Sequence, residues 1–146
     1  MLLRLLESLH GHIAVLALAL SFHPAILLWR GLPLSRGGRW AAALSGALTS
    51  LAFALGVAIY GPYRSLVKPS LFAADPAAGW LFETKEHLAY VAVATALGAT
   101  LLALLAPRSA DGLRRAAARL YLAAAIAMLI TALIGTWVAA IRGFPH

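Results

Sequence analysis

The chain has 146 residues, 62% of them hydrophobic, with a mean hydropathy of +0.86, which excludes an ordinary water-soluble domain and bounds it to one membrane domain, residues 1–146. It has no cysteine, which excludes disulfides, iron–sulfur clusters, thiolate zinc sites and c-type haem attachment. The net charge of +7 and the pI near 10.9 do not point to nucleic acid, because seven of the 12 Lys and Arg lie in two short connections between apolar stretches, where they set membrane orientation.

A bilayer-spanning helix takes about 20 apolar residues, and the chain has four such runs. Before the first, Met1–Glu7 carries one Arg and one Glu; the run itself is long enough to stay in the membrane, so no cleavable signal peptide is expected. This first span extends from Leu9 to Trp29 and carries His10, His12 and His23, the last followed by Pro24. After the Arg-rich connection 30–39, the second span runs from Trp40 to Tyr60. It is rich in Ala, Gly, Ser and Thr, residues that let membrane helices approach closely or leave room for a flat cofactor. The connection from Gly61 to Glu86 is punctuated by Gly61-Pro62, Pro69 and Asp75-Pro76, and carries Tyr63, Phe72, Trp80 and Phe82. It is expected to lie at the headgroup level, with a lid over a site on its own side as the alternative. The third span runs from His87 to Ala106. Residues Gly112–Arg119 are expected to extend the fourth span, Leu120 to Ile141, with Ser109 or Asp111 as the cap.

The predicted fold is all-α: an integral-membrane four-helix up-down bundle with both termini on one side. Side A denotes the face of the termini and the 61–86 connection; side B is the opposite face. Side B carries Arg30, Arg36, Arg39, Arg108, Arg114, Arg115 and Arg119 against Asp111; side A carries Arg4, Arg64, Lys68, Lys85 and Arg142 against Glu7, Asp75, Glu83 and Glu86. The positive-inside rule puts side B in the cytoplasm and the termini in the periplasm.

The histidines carry the functional expectation, since an imidazole in a membrane helix is costly without a partner. His12 and His87 lie near the side-A ends of spans that run in the same direction and are diagonal in an up-down bundle. That gap suits two axial ligands on opposite faces of a haem b. Arg64, Lys68, Lys85 and Arg142 are the side-A cations available to its propionates. At about 100° per residue, His12 and His23 differ by only about 20° and sit about 16 Å apart, while His10 points roughly away from His12. His12 is therefore expected to face the bundle centre, with His10 interfacial and within reach of Glu7. His23 lacks a histidine partner at its depth; a hydrogen bond to Ser45 or Thr49 is its structural role, and a quinone contact, proton relay or shared haem ligand its functional one.

A metal site competes. Glu7 and His10 are spaced i, i+3 and Glu83 and His87 i, i+4, and with His12 they could hold copper, zinc or iron. Spans two and four contain no Asp or Glu, which excludes a ferritin-like di-iron site. Ser21 and Thr131 have no accompanying base and acid, so no hydrolase is expected.

The segments Leu9-His10-Gly11-His12, His23-Pro24, Glu86-His87-Leu88 and Leu133-Ile134-Gly135-Thr136-Trp137 resemble an uncharacterised family of small four-helix bacterial membrane proteins. Here the proline follows His23, whereas the family has an early His-Pro. The resemblance covers nearly the whole chain and implies haem b bound as in cytochrome b561-type bundles, in the bacterial inner membrane. The expected function is a b-type cytochrome or haem-bearing subunit of a respiratory complex, exchanging electrons with quinone or a periplasmic carrier. The alternatives are a non-catalytic accessory subunit, packed with other subunits or with copies of itself, and a copper- or metal-handling protein.

Overall fold

In the computed structural model, residues 1–107 and 109–144 are described; Arg108, counted above on side B, lies outside them. The described residues form only helices: α1 (Leu2–Trp29), α2 (Arg36–Leu66), α3 (Lys68–Ala74), α4 (Pro76–Leu105) and α5 (Asp111–Ile141). Four of them, α1, α2, α4 and α5, are long and apolar enough to cross a membrane. At about 1.5 Å per residue they reach about 42–46 Å, so their ends project past a hydrocarbon core of about 30 Å. Their outer surface is apolar. Trp29 and Trp40 are exposed at one end of the bundle, Trp80 and Trp137 toward the other, the arrangement of interfacial aromatic belts. The chain is a multi-pass membrane protein.

The helices begin and end where local chemistry dictates. α1 is continuous through Pro24 and closes in a Schellman turn. Gly31, at φ +72, donates to the Leu28 carbonyl, and Leu32 donates to that of Leu27. Ser35 caps α2, its hydroxyl accepting from the Gly38 amide at 3.1 Å. The 61–86 connection, punctuated by prolines in the sequence, is almost wholly helical. Pro69 and Pro76 occupy the first turns of α3 and α4, where a missing N–H costs nothing, and Asp75 accepts from the Ala77 and Ala78 amides. Only Val67 and Asp75 interrupt the helices there. α5 does extend back to Asp111, but its N-cap is Ala110, with no side-chain bond. Asp111 instead pairs with Arg114.

The long helices form a ring in the order α1, α2, α4, α5, with α1 and α4 diagonal and not in contact. Neighbours are antiparallel: Gly56 of α2 meets His10, Gly38 meets Leu27, and Gly135 of α5 meets Lys85. The middle of the bundle is built from alanine, with Ala17, Ala96 and Ala124 fully buried beside Ala92 and Met128. Toward side B, Gly46 lies under Thr100, whose hydroxyl meets the buried Tyr121 phenol at 3.1 Å. Small residues at these crossings bring the backbones close. The side-A end is aromatic and aliphatic, built around Tyr63, Leu71, Phe82, Val138 and Phe144. α3 closes it, with Phe72 seated on Gly79 and edge-on to Trp80 at 5.7 Å between centroids.

Candidate functional site

One set of ionisable side chains gathers at the side-A end. α1 contributes Glu7 and His10, α2 Tyr60 and Tyr63, and α4 Lys85 and Glu86. His10 is half-buried. Its Nδ1 donates to the Ala52 carbonyl of α2 at 2.7 Å, and the ring lies over Gly56. Lys85 is also half-buried, its Cε packed on Gly135 and its Nζ 5.3 Å from the Phe82 ring centroid, a cation–π contact. Glu7 and Glu86 are within electrostatic range of Lys85, and Lys85 of His10. Among the described residues, Lys85 Nζ makes no direct ion pair or hydrogen bond.

Two further atoms lack partners. Among the described residues, Glu86 Oε1 and the Tyr63 hydroxyl are buried with no hydrogen bond, while Glu86 Oε2 receives a long bond, 3.4 Å, from Tyr60. The Tyr63 ring is held by stacking on Phe82 at 4.4 Å and by the edge of Phe144 at 5.6 Å, so its hydroxyl cannot swing to water cheaply. At the rim, Lys68 of α3 pairs with Glu83. Its hydrogen bond to that carboxylate holds the Lys68 ammonium above the usual lysine range, against a smaller opposing effect of desolvation.

The predicted haem ligands stand elsewhere. His12 and His87 are both exposed, on helices that do not touch. Each ring is tied to its own helix, His12 Nδ1 to the Ser8 carbonyl at 2.7 Å and His87 Nδ1 to the Glu83 carbonyl at 2.8 Å. The expectation that His12 faces the centre and His10 the boundary is thus reversed. His12 and His23 do share a face, but it is the outer one, and His23 is exposed. His23 reaches neither Ser45, whose hydroxyl is buried without a partner, nor Thr49, which donates to the Ser45 carbonyl and Met128 Sδ. Within one chain His12 and His87 therefore stand apart, on diagonal helices with a cluster of buried alanines between the helices of the bundle.

Among the described residues no three His, Asp or Glu side chains come together to hold a metal ion. Glu7 does not pair with His10; it lies 3.5 Å from the site of a Cβ on Gly143. Of the proposed propionate partners, Arg64 and Arg142 are exposed and Lys68 is engaged with Glu83. Tyr63, Gly56 and Gly135 were not singled out from sequence as site residues, and Lys85 and Glu86 were not read as its centre. The available signal was the pair of glycines at matching depth in the second and fourth spans, opposite ionisable residues at the starts of the first and third. No protein family, curated protein or solved structure matches the chain.

Proposed function

We propose that this chain is a small accessory subunit of a membrane assembly, and that its working site is the side-A cluster, a centre that binds and releases a proton at that face of the membrane. The observation that carries the reading is a Glu86 oxygen and a Tyr63 hydroxyl that are buried and unbonded among the described residues, with Lys85, which forms no ion pair there, in electrostatic range of Glu86. Ionisable residues inside a bundle are expensive and mark proton and ion pathways. Orphaned buried polar atoms are stabilised by a shared proton or bridging water. Glu7, Glu86 and His10 are the groups able to exchange the proton, and Lys85 sets their electrostatic balance. The test is an acid-minus-neutral infrared difference spectrum of the protein in lipid nanodiscs. A carboxyl band is expected that Glu86→Gln or Glu7→Gln removes and whose pH midpoint Lys85→Met moves. A spectrum with no carboxyl band sensitive to either glutamine substitution sinks the reading.

One observation favours a second reading, a haem-bearing subunit of an electron-transfer complex. His12 and His87 each commit Nδ1 to a backbone carbonyl and leave Nε2 free on the outer surface, as metal-ligating imidazoles do. Facing out from diagonal helices, each would ligate at a boundary with another chain. A b-type band in the reduced-minus-oxidised spectrum of the protein purified with its partners, lost in His87→Ala, is the expected result; no such band overturns it.

A further inference from the structure

At the side-B end, away from the ionisable cluster, α1 and α5 leave a groove of about 220 Å³ between them, lined by Phe22, Ile26, Trp29, Arg30, Ala118 and Leu122. It opens on the outer face of the bundle and is smaller than the roughly 300–1,000 Å³ of small-molecule pockets. Its walls are apolar except for Arg30, which ends α1. Arg115 and Arg119 of α5 are exposed and lie three residues before Ala118 and Leu122 respectively. The four α5 positions therefore occupy an arc of about 100° on one helix face. Arg30 thus lines the groove at the end of α1, and Arg115 and Arg119 lie about one turn nearer the side-B end of α5 than the wall residues Ala118 and Leu122, on the same helix face. None of the three has an ion-pair partner among the described residues.

We infer that this groove binds an anionic phospholipid of the side-B leaflet, with an acyl chain along Phe22, Ile26 and Leu122 and the phosphate among Arg30, Arg115 and Arg119. The charge complementarity selects the occupant. A basic pocket between membrane helices on the arginine-rich side fits a lipid phosphate bidentately, whereas a neutral helix from another subunit would leave the three cations unpaired. Orientation alone needs only a count of basic residues in the connections, not three of them around one groove.

Trp29 lines the groove and reports on it. In a variant with Trp29 as the sole tryptophan, reconstituted in phosphatidylcholine vesicles, a minor fraction of brominated phosphatidylglycerol is expected to quench its fluorescence more than the same fraction of brominated phosphatidylcholine. The excess should correspond to a preference on the order of tenfold. Substituting Arg30, Arg115 and Arg119 together by Gln should abolish the excess and leave quenching by phosphatidylcholine unchanged. Equal quenching by the two lipids, an excess that survives the triple substitution, or no quenching by either overturns the inference; the last means that the groove is filled by protein. Native mass spectrometry of the unaltered chain from mixed micelles gives a second readout. Retained phosphatidylglycerol in excess of phosphatidylcholine supports the site, and equal retention sinks it.

Discussion

The imidazole of His10 rests on Gly56. A methyl group at Gly56 would stand 3.0 Å from His10 Cε1, while the same ring donates to the Ala52 carbonyl at 2.7 Å one turn earlier on α2. The ring cannot retreat without lengthening that bond. Gly56→Ala should therefore gain about 0.5–1 kcal/mol of helix propensity and lose a similar amount of hydrogen bonding, leaving stability nearly unchanged. Gly56→Val should cost about 1–3 kcal/mol by overpacking. Equilibrium unfolding in mixed detergent micelles separates the two.

Gly46 allows less. A Cβ there would lie 2.8 Å from Thr100 Oγ1 and 3.2 Å from its Cβ, so the whole stiff, branched side chain must move, and with it α4. Gly46→Ala is expected to destabilise by about 1–3 kcal/mol. At Gly11 an added methyl group would meet nothing within 4 Å, so Gly11→Ala should be neutral or stabilising by about 0.5–1 kcal/mol. Similar losses at both positions in the same unfolding assay would show that close approach is not what selects glycine.

Tyr121 and Thr100 share a hydrogen bond between two buried hydroxyls at 3.1 Å. Tyr121→Phe should cost about 0.5–1.5 kcal/mol, and Thr100→Val, which strands the phenol, about 1–3 kcal/mol. The double variant should lose less than the two combined, because neither orphan then remains. A strictly additive double-mutant cycle would refute the coupling.

The Lys68–Glu83 pair predicts a pH dependence. A lysine whose folded pKa is raised contributes stability that is complete below its unfolded value, about 10.4, and is lost as pH rises through the higher folded value. The contribution of Lys68 should therefore be flat across neutral pH and vanish only in strong alkali. Lys68→Met should cost less than about 1 kcal/mol near neutrality, as befits a pair at the rim. Unfolding midpoints of both proteins measured across the alkaline range should converge.

The four membrane helices were legible because about 20 apolar residues in a row have few other fates. Their ends were not. Pro69 and Pro76 read as breaks, yet they start helices, because a first-turn proline gives up an amide that has no partner there anyway. The angular relation among His10, His12 and His23 was also legible; which side of α1 faces in was not taken from the right residues. Ala17, Ser21, Pro24 and Leu28 are the buried stripe of α1, and His10 lies seven residues before Ala17, on that stripe. Depth and the shared face with His23 pointed to His12, whereas the small residues mark the inward face. The meeting of Lys85 with Gly135 was beyond the sequence, because it depends on how α4 is rotated against α5.

The alanine-packed middle has one consequence for traffic through this molecule. Beside Ala17, Ala96 and Ala124 the buried residues of the middle are small or neutral, with Ser21, Ser45, Thr49 and Met128 among them. Among the described residues no buried carboxylate, imidazole or ammonium stands there, so the ionisable end has no charged neighbour within the core to hand a charge to.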